Sequence, residues 1–241
     1  MSKLPNAPLI EVIFEIKWDV DKSDILDFQY LHGDLYSKLK EEYPFRENVV
    51  PPEVPFEVVK GLPVFRYRKG GNDYPLIQVG PGLITFNTID EKYFWNEYLI
   101  EVDKILKEFN NIYPKFHRIK LVPSISYVDF FEIDFSTNSP LNFINENLGL
   151  NVHQGYIDND NSKTEEINLT FNNRLKSNLL SLNLINGRYN NKEGLVMQTK
   201  IIGNKDFYLL EDLNSWLVEA HDICSDVFKK ITNGKLYNSF K

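Results

Sequence analysis

Four groups of residues have types and spacings that could carry chemistry. His221 and Cys224 lie three apart in a helical stretch, so they share a side of it. A thiol beside an imidazole is the kernel of a nucleophilic pair, and with two more ligands it is half of a metal site. The first needs an exposed thiol, yet Cys224 falls on the apolar stripe Leu213, Leu217, Ala220, Cys224, Val227 and Ile231. The second needs partners, and His32, His117 and His153 each stand isolated in sequence. Cys224 therefore reads as a core cysteine, and His221 as a flanking residue that hydrogen-bonds where helix meets sheet.

Glu11 and Glu15 are four apart on one strand face. Paired carboxylates do acid–base work only in a closed pocket that separates their pKa values. On an open sheet face they are solvated or paired with Arg66, Arg68 or Lys200. Gly80-Pro81-Gly82 has the glycine content of a phosphate loop, but such a loop leads into a helix. Here Leu83-Ile84-Thr85-Phe86 follows, so a strand-to-strand turn is expected. Asn168, Thr170 and Asn172 alternate on one face, with Gln198 and Lys200 on a neighbouring strand. They form either a solvated sheet face or a hydrogen-bonding surface for a peptide or polar ligand. The polar stretch Asn151 to Lys163, with His153, Tyr156 and Asp158, is a binding loop or a plain connection. No catalytic, cofactor or metal residues are assigned. The candidate binding face is Glu11, Glu15, Arg66, Arg68, Asn168, Asn172 and Lys200.

These residues must be positioned by recognisable elements. Leu9 to Trp18 alternates as a half-buried strand, with Ile10, Val12, Phe14 and Ile16 on its inner face. Ser23 is placed to cap a helix carrying Ile25, Phe28, Leu31, Leu35 and Leu39, which ends before Pro44. Arg46 to Pro55 reads as a stiff connection, and Phe56 to Val59 with Val64 to Arg68 as a hairpin. Strands are expected at Pro75 to Val79 and Leu83 to Asn87. A capping box at Thr88 and Glu91 then opens a helix with Trp95, Leu99, Val102, Leu106 and Phe109 inward, closed by Asn110-Asn111 and Pro114. In the second half, Ile125 to Phe135 is a strand and Pro140 to Leu148 a helix. Three strands follow at Glu166 to Arg174, Leu179 to Ile185 and Leu195 to Ile202. A last helix runs from Glu211 to Ile231, stopped by Asn233-Gly234.

The order repeats. Phe14-Glu15-Ile16 matches Phe131-Glu132-Ile133, and Leu99-Ile100-Glu101-Val102 matches Leu217-Val218-Glu219-Ala220, at nearly one offset. Ile105 and Ile223 share the second offset. The expected architecture is α+β and internally duplicated, with half-repeats at 1–117 and 118–241. A tandem strand-helix-strands-helix unit resembles the half-repeat of the TATA-box-binding-protein fold. That resemblance implies one curved antiparallel sheet with helices on one face, leaving the other face for a partner.

The opening Leu4-Pro5-Asn6-Ala7-Pro8-Leu9-Ile10-Glu11-Val12-Ile13-Phe14-Glu15-Ile16 resembles the start of an uncharacterised, sporadically distributed prokaryotic family. The similarity continues through Gln78-Val79-Gly80-Pro81-Gly82-Leu83-Ile84, through Tyr93 to Tyr98, and around His221, Phe228, Ile231 and Thr232. The resemblance implies no established activity. The family's patchy inheritance implies mobile or defence-associated loci.

Composition narrows the function classes. The 241 residues carry 34 acidic and 27 basic side chains, a net charge of −7, which disfavours a broad phosphate-binding surface. One cysteine excludes an internal disulfide, and no apolar run approaches the ~20 residues of a membrane span. The expectation is a cytoplasmic, non-enzymatic binding or accessory protein without a cofactor, whose partner is a protein or small ligand. A nucleic-acid-binding saddle is the alternative, with Arg66, Arg68 and Lys69 as its basic strip, and an enzyme assembled only in three dimensions is third. A homo-oligomer is left open.

Overall fold

The computed structural model describes residues 3–113, 115–116, 119–156, 163–203 and 210–241, the side chains of Phe56, Leu210 and Glu211 excepted. Pro114, His117 and Asp158 lie outside the described residues. The fold class is α+β, with antiparallel strands forming an open sheet. Packing groups the chain into two units. The first holds Glu11–Ile125 and Ile202–Glu219; the second holds Ser126–Ile201, Ala220–Lys241 and the N-terminal residues through Ile10.

In the first unit the chain runs β1 (Leu9–Trp18), α1 (Lys22–Leu39), β2 (Phe45–Asn48), β3 (Phe65–Arg68), β4 (Leu76–Gly80), β5 (Leu83–Thr88) and α2 (Trp95–Ile112). Its strands are hydrogen-bonded in the order β2-β3-β4-β5-β1, so the last strand lies beside the first. Val12, Phe14, Ile16 and Trp18 of β1 are buried, as alternation requires. The α1 stripe Ile25, Phe28, Leu31, Leu35 and Leu39 is buried in full. Both helices cover the same sheet face: the Phe28 ring meets Phe65 of β3, and Tyr98 and Phe109 of α2 meet Phe86 and Trp18.

The turn between β4 and β5 is Pro81-Gly82, with Gly82 at φ 80°. Proline then glycine at positive φ is the chemistry of a type II turn. The glycines are also needed for space. A Cβ on Gly80 would lie 1.8 Å from the Leu62 carbonyl oxygen, and one on Gly82 2.6 Å from that of Trp18. The sequence reading of this stretch as a strand-to-strand turn is therefore what the chain adopts.

Three local expectations give way. Asp21, not Ser23, caps α1; it accepts from the backbone of Ser23 and Asp24 while Asp24 reaches back, a complete capping box. Thr88 caps nothing, because it stays in β5 opposite Val12, and α2 opens only at Trp95 with no side-chain cap. Phe56–Val59 is a 3-10 turn after Pro55 rather than a strand, and the partner of β3 is instead β2, inside the stretch expected to be a connection.

In the second unit the chain runs β6 (Leu121–Glu132), α3 (Pro140–Asn147), β7 (Asn168–Arg174), β8 (Asn178–Tyr189), β9 (Lys192–Gly203), α4 (Leu210–Ile231) and α5 (Lys235–Ser239), with the ends of β6, β9 and α4 reaching into the first unit. The strand order is β6-β9-β8-β7, again with the last strand beside the first. Asn190 and Asn191 join β8 to β9, both at positive φ, as a two-residue type I′ hairpin turn requires. The core gathers Phe131, Ile144, Leu182, Leu184, Leu195, Met197 and Ile231. On α4, Leu213, Leu217, Ala220, Cys224 and Ile231 are buried as expected. Trp216 joins them, whereas Val227 is only half-buried. The stop expected at Asn233-Gly234 is followed by the short helix α5.

Candidate functional site

The face of the first unit opposite its helices carries a row of polar residues in strict register. Glu47 of β2 lies opposite Arg66 of β3, Arg66 opposite Gln78 of β4, Gln78 opposite Thr85 of β5, and Thr85 opposite Glu15 of β1. Directly opposed residues on one face are within side-chain reach, and here they bond. Arg66 donates to Glu47 at 3.3 Å and to Gln78 Oε1 through Nε at 3.2 Å and Nη2 at 3.0 Å. Gln78 donates to Thr85 at 3.4 Å, Thr85 to Asn87 at 2.8 Å, and Asn87 to Glu11 at 2.8 Å. Glu15 accepts from Ser124 at 3.3 Å and lies 3.6 Å from Lys17.

This layer is less open than alternation alone suggests. Every residue of β5 is buried, Thr85 and Asn87 at 4% and 5% exposure. Their short side chains lie under longer neighbours that hydrogen-bond to them. Buried polar groups must be paired or their desolvation goes uncompensated, so the bonds fix each orientation. Arg68 sits beside the row. Its Nη1 donates to the Asp73 carbonyl at 3.1 Å and its guanidinium lies 5.7 Å from the Tyr74 ring. Its buried Nε finds no hydrogen-bond acceptor among the described residues, Glu47 being 3.8 Å away. Burial, then the Glu11 charge, push the Tyr74 hydroxyl pKa up.

The expected partners are thus partly redrawn. Glu11 accepts from the Asn87 amide and Glu15 from the Ser124 hydroxyl, while Glu47, supplied by β2, is the carboxylate beside Arg66 and Arg68. Glu47, Gln78, Thr85 and Asn87 were absent from the sequence-based set. Alternation in β4 and β5 could have found three of them; Glu47 required knowing that β2 exists.

Asn168, Asn172 and Lys200 belong to the second unit. Asn168 and Asn172 lie on β7, exposed. Asn183 of β8 donates to Thr170 at 2.7 Å and to Asn168 at 3.4 Å. Lys200 is half-buried on β9, opposite in alternation to Met197, Thr199 and Ile201.

His221 and Cys224 resolve as a packing pair. Cys224 is buried and its thiol pKa is raised by burial and then by the nearby Asp129 charge, which removes the thiolate a nucleophile needs. His221 hydrogen-bonds through Nδ1 to the Tyr127 hydroxyl of β6 at 2.6 Å, the helix-to-sheet contact expected of it. Burial lowers its pKa to about 4. His32 has a similar setting in the first unit. It stacks on Phe65 at 3.9 Å and faces Arg46 at 3.1 Å, and burial followed by the Arg46 charge lowers it to about 4. Among the described residues no group of three or more His, Cys, Asp or Glu could hold a metal ion, and no helix is long and apolar enough to cross a membrane.

The class defined by these features is an α+β protein with an antiparallel sheet and a hydrogen-bonded polar row. Beyond that class, no protein-family model, curated protein or solved structure matches the chain.

Proposed function

We propose that the chain is a non-enzymatic binding or accessory protein, and that the polar row from Glu47 to Glu15 is its recognition surface for a protein segment or a small polar ligand. The observation that carries this reading is the row's pre-organisation: its side chains already hold one another in register across five strands. A ligand meeting it orders little, so less binding free energy is lost to fixing rotamers. The row mixes charges, with Glu47 against Arg66 at one end, Gln78 and Thr85 between, and Glu15 beside Lys17 of the same strand at the other. That pattern suits an amphoteric partner better than a phosphate track, where arginine and lysine would dominate.

The fold itself we read as a tandem duplication of the TATA-box-binding-protein type. Both units follow the order strand, helix, antiparallel strands, helix, and each returns its last strand beside its first. Helix α1 begins at Lys22 and α3 at Pro140, 118 residues apart (140 − 22), which is the offset of the Leu99 and Leu217 match.

The test is affinity capture with the wild-type chain and with Arg66→Glu as baits, Arg66→Gln serving as control. The expected result is a partner retained by the wild type, weakened by Arg66→Gln and lost with Arg66→Glu. An identical set of captured molecules for all three, or tight duplex-DNA binding that falls steeply with salt, overturns the reading.

A further inference from the structure

The outer strands β2 of the first unit and β7 of the second differ in how they are guarded. Exposed sheet edges are templates for pairing, and proteins blunt them with short strands, charges and prolines. Strand β2 has four residues including Arg46 and Glu47, and Pro51, Pro52 and Pro55 follow it. Strand β7 has seven residues, Asn-Leu-Thr-Phe-Asn-Asn-Arg, six of them exposed and none proline or lysine. Among the described residues no strand pairs with its outer edge.

The outward-facing groups of β7 are fixed by its pairing with β8. Asn186 N–H donates to the Ile167 carbonyl at 3.4 Å and Leu175 N–H to that of Asn178 at 2.8 Å, both in the register of the ladder. Hydrogen-bonded pairs alternate in an antiparallel ladder. Leu169, Phe171 and Asn173 therefore bond to β8, and Asn168, Thr170, Asn172 and Arg174 turn their N–H and C=O groups outward.

We propose that this edge is a homodimer interface, at which β7 of a second copy adds antiparallel about a two-fold axis through Phe171. Thr170 then exchanges backbone bonds with the partner's Asn172, and Asn168 with the partner's Arg174. The charges select both the occupant and its direction. Glu165 and Glu166 precede β7, Arg174 and Lys176 end it, and all four are exposed. Antiparallel self-pairing sets the acidic end of each copy against the basic end of the other, whereas parallel pairing sets like against like. At the axis the two Phe171 rings, each 37% exposed, meet at a non-hydrogen-bonded pair, where side chains approach most closely.

The test is the mass of the intact chain by sedimentation velocity over a wide concentration range. The wild type should be a dimer. Thr170→Pro removes an outward N–H at a position where an edge strand tolerates proline, and should give a monomer with an unchanged circular dichroism spectrum. Arg174→Glu with Lys176→Glu should raise the dimer Kd by about tenfold or more, and adding Glu165→Lys with Glu166→Lys should restore it. Phe171→Cys should form a disulfide-linked dimer on oxidation, because facing Cα atoms there fall within bridging distance and Cys224 is buried. A wild-type monomer at all concentrations overturns the proposal. So does a dimer that survives both Thr170→Pro and the basic-end reversal, or a Phe171→Cys chain that does not crosslink.

Discussion

Thr85 and Asn87 sit on a central strand and are almost wholly buried, whereas Thr170 and Asn172 sit on an edge strand and are exposed. The residue types are the same and the alternation is the same. The difference comes from the strand's neighbours. Strand β5 has β4 and β1 on its two sides, and their long side chains close over its polar face. Among the described residues strand β7 has a neighbour on one side only, so its asparagines stay exposed to solvent. A polar residue in a sheet therefore takes its role from the place of its strand in the order, which alternation does not encode.

The comparison first needs a common scale, and the two cores provide it. Leu217 in the first unit and Leu184 in the second are both at 0% exposure. Truncating either to alanine should destabilise by ~2–5 kcal/mol in urea unfolding, as transfer and cavity effects together require. A change below ~1 kcal/mol at one of them, typical of surface sites, would mean that its unit lacks a close-packed core.

Next in size is the buried polar layer. Asn87→Ala removes the acceptor of Thr85 and the donor to Glu11 at once. Leaving such groups unpaired should cost ~1–3 kcal/mol. An effect within ~0.5 kcal/mol would place Asn87 with the solvated residues and erase the contrast with β7.

The units should agree in one respect, their histidines. His32 and His221 have folded pKa values near 4 against an ordinary 6.5, with burial the largest cause for both. Between those values the unfolded chain binds more protons, so stability is full above pH 6.5 and declines as pH falls toward 4. Both rings are partly exposed, so the loss per histidine should be about 1 kcal/mol rather than the full linkage value. Titration of the ring resonances by NMR checks it, and a midpoint above pH ~6 at either site would break the agreement.

Legibility in the sequence followed the same division. The α1 stripe and the inner face of β1 were readable because burial there is carried by apolar residues at helical and strand periods. Strand β2 was not, since Phe-Arg-Glu-Asn is exposed throughout and is a strand only through pairing with β3. Without β2, the sequence does not show Glu47, the carboxylate that Arg66 meets. The start of α2 was misplaced because Thr88-x-x-Glu91 has the capping pattern, while the pairing of Thr88 with Val12 holds it in the sheet. Both of these misses are long-range pairings that a local signal does not carry, whereas the exchange of Ser23 for Asp21 as the cap of α1 is local.

The smallest expected effect completes the contrast. Asn183 on β8 donates to Thr170 and Asn168 on β7, much as Asn87 bridges Thr85 and Glu11, so deleting it removes an equal number of side-chain bonds. The freed groups here face solvent: Asn168 and Thr170 are exposed, and water replaces what Asn183 supplied. Asn183→Ala should therefore change stability by no more than ~0.5 kcal/mol when the chain is kept monomeric by dilution and by Arg174→Glu with Lys176→Glu, which leave both of its bonds in place. The control matters, because pairing of β7 with a second copy would dry this strip and make the same asparagine bridge costlier to lose. Equal penalties for Asn183→Ala and Asn87→Ala in the monomer would mean that bond number, not burial, sets the value of a polar bridge in this sheet.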